Sequence, residues 1–250
     1  MALNLGTRGV VLILVAALLL LSVGGLVAFR DAILSALVSR SLAQRGLLCG
    51  KVSLQVPLAL PPSPIVMAAT RCELAEGPLA AVEFKAPLSI HLDAFHPGSI
   101  RCASVEVDLR PRAPREVELN ALGDLTRLVG LEQAALDLMF DTAELSIERA
   151  PPLLVTELLV RRAGKVVISF HDLELTSNEV GLTLASPRAI FAPIALLGEG
   201  PLLLKATPTA AVVTFAVASH LKVKVILDHI DANRPSAEFS LAADSAPPGK

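Results

Sequence analysis

Three cysteines and five histidines are the residues of this 250-residue sequence best equipped for redox, metal or nucleophilic chemistry. Their spacing does not assemble a site. His91, His96, His171, His220 and His229 are scattered along the chain. His91 and His171 fall at polar-face positions of expected strands and His96 in an expected turn, which reads as solvated surface rather than metal ligation. No H-E-x-x-H, G-x-S-x-G or C-x-x-C motif occurs. The run Gly46-Leu47-Leu48-Cys49-Gly50-Lys51 has the outline of a phosphate loop. It is one residue short between its glycines, carries Val52 where a Ser or Thr must reach the metal, and precedes a strand instead of a helix. Glu106, Asp108, Glu116 and Glu118 alternate with apolar residues, as a wetted sheet face requires, and do not form a converging acid pair. The expectation is a protein that is not an enzyme, with no metal and no cofactor.

Cys49, Cys72 and Cys102 leave two readings open. Outside the cytoplasm a disulfide is permitted, and Cys72 with Cys102 is the pair expected to sit on neighbouring strands. Buried free thiols filling small core positions are the alternative.

Composition narrows the partners. The chain has 22 basic and 24 acidic residues, a formal net charge of −2, so nucleic acid is not expected. It has no Trp and no Tyr and only eight Phe, which removes the usual stacking platforms for bases and sugars. Hydrophobic residues make up 53%, and charged residues 18%.

Part of that apolarity lies in residues 9–29, a run without a charged side chain. As a helix it would reach about 31 Å at ~1.5 Å per residue, enough to cross a bilayer core. A cleaved signal peptide has a shorter apolar region and a small-residue cleavage site; neither is found here, so residues 1–30 read as a transmembrane signal-anchor. The short amino-terminal tail suggests an N-in, C-out orientation. The remainder of the chain still averages about +0.4 in hydropathy, high for an ordinary water-soluble domain.

Residues 31–46 read as a short amphipathic helix, with Ile33, Leu34, Leu37, Val38 and Leu42 at three- and four-residue spacing and Gly46 as the stop. Such a helix either caps a core or lies at a membrane surface. From Lys51 the period shifts to two. Val52, Leu54 and Val56 start the pattern. It continues through Val82, Phe84, Leu88, Ile90 and Leu92, then Val105, Val107 and Leu109. Leu136, Leu138 and Phe140 follow, then Leu145 with Ile147, and Val166, Ile168 and Phe170. Val213, Phe215 and Val217 precede the last set, Leu221, Val223, Val225 and Leu227. Turn signals separate the runs, among them Pro61-Pro62, His96-Pro97-Gly98 and Ala163-Gly164-Lys165. Only residues 120–133, with Leu122, Leu125, Leu128 and Val129, have helical spacing. The expected fold is mainly β: a curved antiparallel sheet over residues 47–241 with one short internal helix and a frayed tail at 242–250.

The order of these parts resembles the amino-terminal region of AsmA-like inner-membrane proteins, which include bridge-like lipid transporters of diderm bacteria. The resemblance is carried by the apolar span, then Ala32-Ile33-Leu34-Ser35-Ala36-Leu37, then the strand Val52-Ser53-Leu54-Gln55-Val56. The cadence of residues 77–88 and 166–175 adds to it. It covers residues 9–120 and 145–185 and rests on architecture and hydrophobic rhythm. The chain is also similar in plan, less closely, to the type II secretion protein N.

The resemblance implies a single-pass inner-membrane protein with the bulk of its chain in the periplasm and an apolar β groove that holds lipid acyl chains. Candidates for the groove lining are Val82, Phe84, Leu88, Ile90, Leu92, Val105, Val107, Leu109, Val213, Phe215, Val217, Val223 and Val225. The same residues would equally make the core of a closed sandwich or barrel. A second functional expectation is a non-enzymatic scaffold or assembly factor of the envelope or secretion system, meeting a protein partner through its sheet edges.

Overall fold

A computed structural model describes residues 29–57, 64–93, 96–120, 133–144, 150–192, 199–218 and 221–243. Residues 29–44 form helix α1, and Gly46 ends it with φ 79°, a conformation that favours glycine. Seven strands follow: β1 (Leu47–Cys49), β2 (Val52–Gln55), β3 (Ile65–Ala69), β4 (Arg71–Leu74), β5 (Leu79–Phe84), β6 (Leu88–Asp93) and β7 (His96–Leu109). Next come β8 (Glu118–Asn120) and helix α2 (Gln133–Ala143). The chain then runs through β9 (Leu153–Arg162), β10 (Lys165–Ser177), β11 (Leu182–Phe191), β12 (Glu199–Ala206), β13 (Ala210–Ala218), β14 (Leu221–Asp228) and β15 (Ser236–Ala243).

All fifteen strands join one large curved sheet with the order β1-β4-β5-β7-β9-β10-β11-β12-β13-β14-β15-β8, and β2, β3 and β6 branch from β7. The branch is a bend in continuous strands. Cys49 lies opposite Cys72 and Val52 opposite Ala69 in one unbroken register, so β1–β2 and β3–β4 are two long strands creased at residues 50–51 and 70. At the crease the Gly50 amide donates to Arg71 O and the Thr70 amide to Lys51 O.

The sheet is mixed, not antiparallel as expected. β9 runs parallel to β7, and β8 parallel to β15. The chain leaves β7 in mid-sheet, places β8 on the far edge beside β15, passes through α2, and re-enters next to β7. A parallel neighbour such as β9 needs a long crossover of this kind.

Alternation gives the sheet two chemically distinct faces. One row of directly opposed residues, Cys72, Val82, Val107, Val160, Ile168 and Phe191, crosses six strands on the apolar side. A second row runs through Leu175, Leu184, Leu204, Val213, Val225 and Phe239. Asp172, with φ 51°, kinks β10 without shifting its register, and Phe170 and Leu173 on either side of it both reach the core. The other face of the first strands carries a charge ladder. Arg71 pairs with Asp108 at 3.0 Å, Lys85 with Glu83 at 2.7 Å and Glu106 at 3.6 Å, and Arg161 with Glu106 at 3.2 Å.

Two other expectations need correction. Leu136, Leu138 and Phe140, read as strand, belong to α2. Their alternation is compatible with either period; because α2 is buried nearly all round, apolar residues occupy several of its faces and the amphipathic signal fades. The disulfide joins Cys72 to Cys49, and Cys102 is a buried free thiol. β5 lies between β4 and β7, so Cys72 and Cys102 are on strands about 9–10 Å apart, beyond disulfide reach, whereas Cys49 is directly opposite Cys72.

Residues 1–28 of the expected signal-anchor (1–30), most of the expected 120–133 helix, Leu145 with Ile147, and the end of the tail lie outside the described residues. Among the described residues, no helix is long and apolar enough to cross a membrane.

Candidate functional site

The candidate site is the apolar face of the sheet, and α2 divides it. Ala135, Leu136, Leu138, Met139, Phe140 and Ala143 are all buried against it. Burial of Leu138 and Phe140 contributes about 2–3 kcal/mol each at ~25 cal/mol per Å². Met139 and Thr142 face Ile168, Phe170, Phe191, Leu202, Leu204, Val213 and Phe215 across a residual cavity of about 20 Å³. That volume is near the room one water needs, far below an acyl chain.

The expected groove residues therefore fall into two groups. Val213 and Phe215 on β13, with Val223 and Val225 on β14, are buried, and Phe215 opposes Val223 as Val213 opposes Val225. They form the seat of a filled core. Val217 lies on β13, and its side chain is outside the described residues. Leu88, Val105 and Leu109 are buried in the same core. Val82, Phe84 and Val107 are partly buried and pack against this core, together with Met67 and Ile100. Ile90 and Leu92 on β6 are half-buried, with Ile90 opposed to Ile65 and Ile100. The apolar face is thus packed shut under α2 and partly uncovered over β3, β5, β6 and β7.

An ionic cluster that the sequence did not disclose fastens α2 in place. The Asp141 carboxylate, 1% exposed, lies 3.2 Å from Arg115, 3.5 Å from Arg112 and 3.6 Å from Arg162. Glu144 pairs with Arg112 at 2.6 Å and with Arg115. The Arg115 amide donates to Asp137 at 3.3 Å, Gln133 donates to the Arg115 carbonyl at 2.8 Å, and the guanidinium stands 5.8 Å over the Phe140 ring. Burial pushes the Asp141 carboxyl above the usual aspartate range, although Arg115, Arg112 and Arg162 all favour its charge. In the sequence Asp137 and Asp141, four residues apart, share one face of a helix and equally of a strand, so their spacing does not disclose the cluster.

The cluster acts as a clamp: Arg112, Arg115 and Arg162 surround the acidic side chains of α2 and of the residue after it. Among the described residues, no group of three His, Cys, Asp or Glu side chains is placed to hold a metal. His91 and His171 are on β6 and β10, and His229 is in the turn before β15.

α1 closes the other end of the sheet. The Leu54 amide donates to Ser35 Oγ at 2.8 Å, Ser35 Oγ donates to Asp31 O at 2.5 Å, and Arg30 donates to Val56 O. Leu34, Val38 and Leu42 are half-buried on that side. α1 therefore covers the edge of β2 that would otherwise be free to pair with another chain.

No family model, no curated protein and no solved structure matches the chain.

Proposed function

We propose that this is a membrane-anchored protein of the AsmA-like type that binds lipid acyl chains along the uncovered margin of its apolar face, with residues 9–29 as the anchor and the sheet in the periplasm. The observation that carries the reading is the division of one apolar face. α2 fills it over β10–β13, while Met67, Val82, Phe84, Ile90, Leu92, Ile100 and Val107 are only partly buried on the strands next to α1. Apolar side chains left in water cost about 25 cal/mol per Å², and an acyl chain laid across them removes that cost. The Cys49–Cys72 disulfide suits an oxidising compartment such as the periplasm. The sheet has one closed end, which suits a lipid holder that hands its cargo on, not a conduit through the whole fold.

The test is photolabelling of the full chain in membranes with a phospholipid bearing a diazirine on its acyl chain, followed by peptide mapping. Adducts on peptides containing β5, β6 or β7 support the reading. Adducts confined to residues 9–29 refute it.

A second reading, a non-enzymatic envelope scaffold, is favoured by the far edge. β8 covers β15 only where Glu118, Leu119 and Asn120 meet Ser236, Ala237 and Glu238, and the rest of β15, with the exposed Leu241, has no further strand beside it among the described residues.

A further inference from the structure

The outward face of α1 carries Phe29, Ile33 and Leu37, exposed by 67%, 49% and 57%. Four-residue spacing places the three in one stripe. At ~100° per residue, this stripe points about 170° away from Ser35, Val38 and Leu42, the side turned to β2. Exposed large apolar residues at regular spacing on a helix demand a cover, and the sheet is on the wrong side to provide it.

Two facts on the same helix indicate what the cover is. The stripe begins at Phe29, the last residue of the uncharged run 9–29, so the apolar sequence runs directly into α1. It also ends after about two turns: the next position on the stripe is Arg40, followed by Gln44. Apolar side chains for about 12 Å, then a cation whose stem can reach back to phosphates, is the pattern of a helix leaving the headgroup layer.

We infer that the stripe Phe29, Ile33 and Leu37 is embedded in the interfacial layer of the bilayer, so that α1 is pressed between the membrane and the edge of β2. This rests on the reading of residues 9–29 as a membrane span. It adds an orientation: the uncovered apolar margin on β3, β5, β6 and β7 belongs to the membrane-proximal end of the sheet, and the α2-filled part stands away from the bilayer. Lipid entering the margin would then come from the leaflet beside α1.

The absence of Trp and Tyr makes the test clean, because any introduced Trp is the sole long-wavelength reporter. Full-length chains carrying Leu18→Trp, Leu37→Trp or Leu203→Trp are reconstituted into phosphatidylcholine–phosphatidylglycerol vesicles with and without bromine high on the acyl chains. Ile33→Trp is run beside Leu37→Trp as a second reporter of the stripe, and circular dichroism checks each fold. The expected result is quenching of about twofold or more for Leu18→Trp, Ile33→Trp and Leu37→Trp, and none for Leu203→Trp on the outer sheet face. Quenching of Leu18→Trp alone overturns the inference and leaves the span intact; the stripe is then in water or covered by protein. No quenching of Leu18→Trp removes the span itself. Quenching of Leu203→Trp as well overturns the orientation, since the sheet would then lie flat on the bilayer.

Discussion

The Ser35 hydroxyl accepts a hydrogen bond from the Leu54 amide at 2.8 Å, and this contact joins the first described helix to the outer edge of β2. Sheet edges expose backbone donors that recruit other strands, and a helix laid along the edge satisfies them. Ser35→Ala is expected to lower stability by about 1–2 kcal/mol, because the amide loses its acceptor while remaining part-buried. Chemical denaturation measures it; a change within about 0.3 kcal/mol would show that the edge is not held through Ser35.

Asp141 sets a pH dependence with a defined sign. Its carboxyl titrates above the ordinary aspartate value in the folded chain because it is buried. Its favourable contribution is therefore fully present below the unfolded value and is lost as pH rises through the raised folded value. Asp141→Asn imitates the protonated form at every pH. The stability of the variant relative to the natural chain should rise from the acid range towards neutrality, read from Tm at a series of pH values. A relative stability that falls over that range would mean the three arginines outweigh burial.

The thiols are expected to separate cleanly. Burial raises the Cys102 thiol and leaves it unreactive, and Cys49 and Cys72 are bonded. Iodoacetamide should leave the native, unreduced protein unmodified, label Cys102 alone after unfolding without reductant, and label all three cysteines after reduction. Reduction should cost about 3 kcal/mol for a loop of this length. Peptide mapping decides it: label on Cys49 or Cys72 without reductant contradicts the pairing.

The β strands were legible in the sequence because one face is apolar and the other wet. Val105, Val107 and Leu109 alternate with Glu106 and Asp108, and the charged set then enters the cross-strand ladder with Arg71 and Arg161. The helix that fills the face was not legible. Leu136, Leu138 and Phe140 satisfy a period of two as readily as a helix buried on every side. The disulfide was misassigned for a topological reason, since strand neighbours follow from the hairpin order and not from the spacing between cysteines. The Asp141 clamp was hidden altogether, because its arginines come from residues 112, 115 and 162, which meet only after the crossover is closed.

The central claim is that lipid lies on the uncovered margin of the apolar face. Native mass spectrometry of the full chain, released from detergent, tests it most directly when the natural sequence is compared with Phe84→Asp/Ile90→Asp and with Leu203→Asp. All three share the same residues 9–29, so lipid held by the anchor is common to them. One or more phospholipids should be retained on the natural chain and on Leu203→Asp, and lost from Phe84→Asp/Ile90→Asp with the fold preserved. Equal lipid on all three chains, or none on any, would contradict it.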